Sequence, residues 1–170
     1  MASANATSEA VILGIDPGTQ VVGWGALILH DGGMRCAGTG ALRLGRGKQI
    51  PERLGELRLA MDRLIADLHP VVVVIEEAFA SRNPQSALRI GEGRGVIIAC
   101  AVTAGCEVVQ YPPAVAKKTL VGNGGAHKTQ VAGMVCRLLG LDEPPKPLDA
   151  TDALSLALTH VLRRSPGHLR

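Results

Sequence analysis

Apolar runs of two different periods alternate along the chain and predict its elements. Five short runs have the length and composition of strands: residues 11–16, 21–30, 34–44, 71–75 and 106–111. Asp31-Gly32-Gly33 predicts a hairpin turn between the second and third of these strands. The run at 71–75 is apolar at every position, which is typical of a strand buried on both faces of a sheet.

Five further segments have apolar residues at the spacing of helices: residues 51–68, 84–103, 113–120, 127–139 and 149–163. Segment 84–103 contains Gly91, Gly93 and Gly95, and each glycine costs a helix about 1 kcal/mol relative to alanine. Close approach of another backbone would offset that cost. In segment 149–163 the apolar stripe is made largely of small residues, which predicts a helix that packs closely on the sheet.

The order of these elements is three strands followed by helices that alternate with two more strands. This order predicts an α/β fold in three layers, with a mixed five-stranded sheet flanked by helices. The length of 170 residues suits one domain, which we expect at residues 11–163. Residues 1–10 would form a disordered leader and residues 164–170 a basic tail.

Charge is distributed unevenly along the chain. The net charge is only +3, which allows a polyanionic partner without requiring one. However, residues 108–141 contain no Asp or Glu, while Lys117, Lys118, Lys128 and Arg137 all lie among them. We therefore expect one face of this part of the chain to carry positive potential.

The cysteines and the N-terminus indicate a cytoplasmic protein with no membrane segment. The four cysteines follow no zinc-binding spacing and are predicted to be reduced packing residues: Cys36, Cys100, Cys106 and Cys136. The first ten residues contain neither a basic residue nor an apolar run, so they do not form a signal peptide. The apolar run at 71–75 is too short to cross a bilayer.

Four acidic residues occur where backbone elements would direct them to one point. Asp16 ends the first strand and Glu76 follows the run 71–75, and the carboxyl ends of strands are where sites form in open α/β sheets. Asp149 and Asp152 are three residues apart and share one face of a helix. Ligation by oxygen alone selects Mg²⁺ or Mn²⁺. Two such ions, about 3.5–4 Å apart, can hold a scissile phosphate.

Each acid, taken alone, can also be explained by local structure without a catalytic or metal-binding role. Asp16 before Pro17-Gly18 suits a turn, and Asp149 suits a helix cap. Asp152 could lie on a solvated helix face and Glu76 on the surface. A common metal site is favoured because it explains all four acids together, and because ionised carboxylates near a core are costly unless they are paired or metal-bound. Glu77 should point to the other side of its strand, in a structural or supporting role.

Four motifs in order carry a family resemblance: GIDPGTQVVGWG, VVVVIEEAFASRNPQSALRIGEGRG, VGNGGAHKTQV and LDATDALSLALTH. Over residues 11–161 the chain resembles the RuvC family of bacterial Holliday-junction resolvases. The resemblance implies a ribonuclease-H-like fold and a homodimer. It also implies Mg²⁺-dependent nicking of two like-polarity strands of a four-way DNA junction, with 5′-phosphate products. The branch-migration proteins RuvA and RuvB are its implied partners.

The resemblance also implies roles for single residues. Asp16, Glu76, Asp149 and Asp152 match the catalytic, metal-binding acids of the family, and Lys117 and Lys128 match basic residues at the active site and the DNA backbone. Phe79 matches an aromatic residue that contacts junction bases, whereas no role carries over to Lys118. The residues alone leave Lys128 open between a phosphate contact and a solvated lysine, and Phe79 between a base contact and the core. Arg82, Arg89 and Arg94 are similarly open between phosphate contacts and surface arginines.

Two other functions are weighed against this one. The GIDPGT motif also suggests an actin-like or sugar-kinase-like ATPase, but 170 residues are too few for the two lobes that enclose a nucleotide. A non-catalytic junction-binding module of the same fold would be expected to have lost acids, and all four are present. The glycine-bearing helix at 84–103 is the candidate dimer interface; the alternative is that its glycines let it pack on its own sheet.

Overall fold

The computed structural model describes residues 9–45, 47–77 and 84–164. In chain order its elements are β1 (Ala10–Asp16), β2 (Val21–His30), β3 (Gly33–Arg43), α1 (Ile50–Leu68), β4 (Val72–Glu76), α2 (Pro84–Thr103), β5 (Glu107–Tyr111), α3 (Pro113–Val121), α4 (Lys128–Leu139) and α5 (Leu148–Arg164). Each predicted element is present, with its ends within one residue of the prediction. Glu76 is thus the last residue of β4 rather than the residue after it.

The strands form one mixed sheet in the order β3-β2-β1-β4-β5. β1, β2 and β3 pair antiparallel, whereas β1 pairs with β4 and β4 with β5 in parallel. This confirms the predicted α/β architecture. β1 begins at Ala10, and residues 1–8 lie outside the described residues. Arg164 ends α5, residues 165–170 are likewise not described, and the division into leader, domain and tail stays a prediction.

Side chains alternate between two cores on opposite faces of the sheet. Leu13 and Ile15 of β1 face a core formed with α1 and α2. Ile12 of β1 and Val74 of β4 face a second core, formed with α3, α4 and α5. Because alternate residues of a strand share a face, Asp16 and Glu76 continue the series that faces α3, α4 and α5.

α5 lies directly on the backbone of β1 and β2. A Cβ atom added at Gly14 would be 2.0 Å from the carbonyl oxygen of Ala153, and one added at Gly23 would be 2.2 Å from that of Asp149. Ala153 and Ala157 are fully buried. The predicted close packing of this helix is therefore confirmed, and it depends on glycines in the strands as well as on small residues in the helix.

The glycines of α2 are different. A Cβ atom at Gly91 or Gly95 would meet no atom of the described residues within 4 Å, and one at Gly93 would meet only Leu57, at 3.7 Å. The alternative that these glycines let α2 approach its own sheet is therefore wrong. Leu88 and Val102, which flank them, are 61% and 60% exposed.

The cysteines form no disulfide in the structure. Cys100 and Cys106 are buried, as expected of packing residues, while Cys36 and Cys136 are half-buried. In the described ranges, no helix has both the length and the apolar character needed to cross a membrane.

The contact between α5 and β1 predicts a strong effect of a single methyl group. Gly14→Ala should destabilise the protein by about 3 kcal/mol or more, because the added Cβ meets a backbone carbonyl that no rotamer change can move. Gly133→Ala in α4 is the matched control, since its Cβ would meet no described atom within 4 Å. The control should be neutral or gain up to about 1 kcal/mol from helix propensity. Urea unfolding measures both, and parental stability of Gly14→Ala would contradict the close contact.

Candidate active site

A cavity of about 190 Å³ opens at the carboxyl edge of the sheet. Three acids and two lysines line it: Asp16, Glu76, Asp152, Lys117 and Lys128. Its remaining lining residues are Pro113, Ala116, Val131 and Ser155. The cavity therefore unites residues of β1, β4, α3, α4 and α5, which lie far apart in the sequence.

The sheet register brings two of the acids together. Asp16 and Glu76 are the last residues of β1 and β4, which are parallel neighbours with Ile15 opposite Ile75. Both carboxylates follow fully buried residues, so the strand ends cannot shift readily to separate them. Asp152 is contributed by the second turn of α5, which crosses the same face of the sheet.

Asp149 takes a different place from the other three acids. It lies in the first turn of α5, where its backbone packs over Gly23 of β2. It is not among the residues that line the cavity. Its charge nevertheless raises the pKa of Asp16, so it belongs to the same electrostatic cluster.

Burial and mutual repulsion make the acids reluctant to ionise together. Burial raises the pKa of Asp16 from 3.8 to about 7, with further contributions from Glu76, Asp152 and Asp149. Burial also raises the pKa of Glu76, with Asp152 adding to the effect. Lys128, Lys117 and Arg94 act in the opposite direction on Glu76 and favour its charged form.

Among the described residues, Lys128 is the one cationic side chain that contacts an acid of this cavity directly. It is the first residue of α4, and the preceding loop is anchored by the buried Ala126. Its Nζ atom donates a hydrogen bond to Oδ2 of Asp152 over 2.6 Å. That bond is the main cause of the raised pKa of Lys128, which therefore stays charged.

The donor chemistry of the cavity suits a hard divalent cation, because the acidic side chains offer only oxygen atoms. Such a cation would also relieve the repulsion that raises the pKa of Asp16. However, no three His, Cys, Asp or Glu side chains within residues 9–45, 47–77 and 84–164 are already arranged to hold a metal ion. Chelation thus requires side-chain adjustment, and the pairing of Asp152 with Lys128 is one contact that has to change.

Other predicted residues either lie outside the described residues or are not among those that line the cavity. Phe79 and Arg82 lie outside the described residues, so the role of Phe79 stays a prediction. Lys118 is exposed and does not line the cavity. Glu77 is exposed, and its backbone amide donates to the carbonyl oxygen of Tyr111 over 2.8 Å; the role of its side chain stays a prediction.

The sequence interpretation missed Ser155 and did not predict that Arg94 lies near the acids. Ser155 lines the cavity, and its hydroxyl donates to the backbone oxygen of Asp152 over 2.6 Å. Its position three residues after Asp152, on the same helix face, was the available signal. Arg94 contacts Gln110 of β5, and its charge partly offsets the rise in the pKa of Glu76. No spacing in the sequence indicates that contact, because Arg94 comes from the opposite helical layer.

The size of a cavity alone would misplace the site. A larger one, of about 390 Å³, lies between α1 and α2 and includes Arg58, Asp62 and Cys100 among its lining residues. Its one carboxylate, Asp62, is paired with Arg58 over 2.8 Å. It therefore offers no cluster of acids for catalysis.

Known proteins match the chain over nearly its whole length. The profile of the family described as crossover junction endodeoxyribonuclease RuvC matches residues 12–160. The crossover junction endodeoxyribonuclease RuvC of Chlorobaculum parvum is 40% identical over 153 residues, which cover 90% of this chain and 82% of that protein.

Solved structures of RuvC proteins match the fold of this chain. The structure of Thermus thermophilus RuvC matches with a TM-score of 0.84 and 32% identity, and covers 92% of this chain and 96% of that one. The structure of T. thermophilus RuvC in complex with a Holliday junction substrate matches with a TM-score of 0.83 and 30% identity, at the same coverage. The predicted ribonuclease-H-like fold is confirmed.

The raised pKa of Asp16 predicts how stability depends on pH. A carboxyl group with a raised folded-state pKa contributes stability that is complete below its unfolded pKa and is lost as the pH rises through the folded value. In EDTA, this part of the free energy of unfolding should fall between about pH 4 and about pH 7. Asp16→Asn cannot ionise, so it should gain on the parent by a few kcal/mol at about pH 8, given about 1.4 kcal/mol per pKa unit.

Urea unfolding of variant and parent at several pH values, without divalent cations, measures this difference. Asp31→Asn removes an exposed carboxylate from the hairpin turn and controls for the loss of one negative charge. A stability difference between Asp16→Asn and the parent that is constant with pH would contradict the assignment.

Proposed function

The chain belongs to the RuvC family of crossover junction endodeoxyribonucleases, and we propose that it resolves four-way DNA (Holliday) junctions. The reaction is a paired, symmetric hydrolysis of phosphodiester bonds in recombination and repair, leaving 5′-phosphate ends. The observation that carries the proposal is the cavity in which Asp16, Glu76 and Asp152 meet Lys117 and Lys128. The solved relative bound to a Holliday junction substrate supports the choice of DNA structure.

Asp16, Glu76, Asp152 and, after adjustment, Asp149 would hold Mg²⁺, or Mn²⁺ in its place, with two ions in each site. When bound, these cations supply Lewis-acid stabilisation of the phosphate and activation of the attacking water. The protein supplies the rest. The rigid ends of β1 and β4 fix two carboxylates, and α5 fixes the other two.

Lys117 and Lys128 would position the DNA by contacts to backbone phosphates. Phosphate contacts orient a protein on DNA without reading its sequence, which suits an enzyme that selects the shape of a junction. Both lysines belong to the segment 108–141 that contains no acid, and they lie on the α3 and α4 side of the cavity. Phe79 would stack on an unpaired junction base, a contact typically worth about 1–3 kcal/mol.

A homodimer would present two equivalent cavities to the two strands of like polarity. The exposed face of α2 suits the interface, because it carries a stripe of small and apolar residues: Leu88, Gly91, Gly95, Ala99 and Val102. The spacing of this stripe is the same in both directions from Gly95. Two copies of α2 that cross antiparallel at Gly95 would therefore bring Leu88 of one against Val102 of the other.

Partnership with RuvA and RuvB and a cytoplasmic location complete the proposal. Both are expected from the family resemblance, and a cytoplasmic location also agrees with the four free cysteines. Pull-down of this protein with purified RuvA and RuvB on a four-way junction tests the partnership.

Loss of one carboxylate should separate binding from cleavage. Asp16→Asn should reduce nicking of a synthetic four-way junction in Mg²⁺ by at least about 100-fold, the effect of removing a positioned catalytic group. Junction binding should remain largely intact because both lysines remain. Gel assays measure incision and binding, with Asp31→Asn as the control. Nicking by Asp16→Asn at the parental rate would refute the role of Asp16. A parent that binds junctions but nicks them in neither Mg²⁺ nor Mn²⁺ would favour the non-catalytic module.

A charge at the centre of the α2 stripe should break the dimer. Gly95→Arg should convert the parental dimer into a monomer, because a long cation would be buried where two helices meet. Gly133→Arg places the same side chain on the exposed surface of α4 and should leave the dimer unchanged. Light scattering on a sizing column gives both masses. A dimeric Gly95→Arg would exclude this interface, and a monomeric parent would exclude the dimer itself.

A further inference from the structure

Lys128 already compensates part of the negative charge of the acid cluster. Its ammonium is 2.6 Å from Oδ2 of Asp152, within the range of a charge-assisted hydrogen bond. Its charge also favours the ionised forms of Asp16 and Glu76. Lys117 lines the same cavity and favours the ionised form of Glu76, but it is not among the groups that shift the pKa of Asp16. The two lysines are therefore not equivalent.

In the contact between Lys128 and Asp152, the lysine side chain is free to move away, whereas the carboxylate is held in place. The side chain of Lys128 is 69% exposed, whereas that of Asp152 is 23% exposed. Lys128 has a long flexible stem at the first residue of α4, while Asp152 belongs to a helix whose following turns are buried on the sheet. In the described part of the chain, Asp152 is the one acceptor found for the Lys128 ammonium.

We propose that Lys128 is an internal counter-ion, which pairs with Asp152 until a divalent cation displaces it and which then becomes available to a DNA phosphate. This inference rests on the proposed function and goes beyond it in one respect. Lys128 becomes a competitor of the metal as well as a ligand of the DNA, so the two binding events are coupled.

The coupling has a definite sign. Because the ammonium and the divalent cation compete for one carboxylate, removing the ammonium should tighten metal binding. Because metal binding releases the ammonium, metal should strengthen the contact of Lys128 with phosphate, and by reciprocity DNA should strengthen metal binding. The effect should be moderate, since ion pairs with an exposed partner are weak.

The test compares Lys128→Met with Lys117→Met, two changes that each remove one ammonium from the same cavity. Mn²⁺ binding in the absence of DNA is followed by the electron paramagnetic resonance of free Mn²⁺. Lys128→Met should bind Mn²⁺ about 2- to 5-fold more tightly than the parent, and Lys117→Met should show a clearly smaller gain. Lys128→Arg keeps the cation beside Asp152 and should remain close to the parent. Circular dichroism verifies that each variant is folded.

A second measurement addresses the coupling to DNA. Affinity for a four-way junction is compared in EDTA and in Ca²⁺, and incision is monitored on the same gels. Ca²⁺ should raise the junction affinity of the parent by a larger factor than that of Lys128→Met. Equal factors would overturn the coupling.

Three results of the metal titration would overturn the counter-ion: unchanged Mn²⁺ affinity in Lys128→Met, weaker affinity, or an equal gain in Lys117→Met. These failures are distinct from failure of the proposed function. The function fails if the parent does not nick junctions, whatever the titration gives. The counter-ion fails on the titration alone, even if Asp16→Asn has lost cleavage as expected.

Discussion

The close approach of α5 to β1 and β2 is the contact on which the site depends. Its carbonyl groups rest against Gly14 and Gly23, with no side chain between the two backbones. A helix held farther away by side chains would also hold Asp152 farther from the end of β1. Since the contact is between backbones, it fixes both the depth of α5 and its position along the strands. The geometry of the acids therefore follows from glycines that take no part in the chemistry.

This rigidity keeps like charges together against their repulsion. Leu13, Ile15 and Ile75 are completely buried, so the ends of β1 and β4 cannot separate without disrupting a core. The consequence is visible at Asp16, whose pKa is raised to about 7. Clusters of this kind are typical of functional sites, where stability is given up for chemistry. Lys128 relieves part of the strain, and the proposed cations would relieve the rest.

Local patterns were sufficient to predict the elements and the edge of the sheet at which Asp16 and Glu76 lie. The period of two along a strand determines a face, and parallel neighbours bring their carboxyl ends together. The position of Asp149 was harder to predict. Its three-residue spacing from Asp152 shows that the two acids share a helix face, but it does not show where the helix begins to cross the sheet. That start lies over Gly23, which only the tertiary structure reveals. The pairing of Lys128 with Asp152, 24 residues apart, is likewise absent from any local pattern.

The glycines of β1 and β2 and the glycines of α2 have different surroundings, and the sequence does not distinguish the two groups. Those of β1 and β2 are covered by α5, so the close packing they permit is realised within the chain. Gly91 and Gly95 of α2 have no such neighbour among the described residues, yet each costs the helix about 1 kcal/mol relative to alanine. In the proposed homodimer, a second copy of α2 offsets that cost. The same two-fold axis would present one acidic cavity to each of two strands, so the interface would determine the symmetry of the incisions.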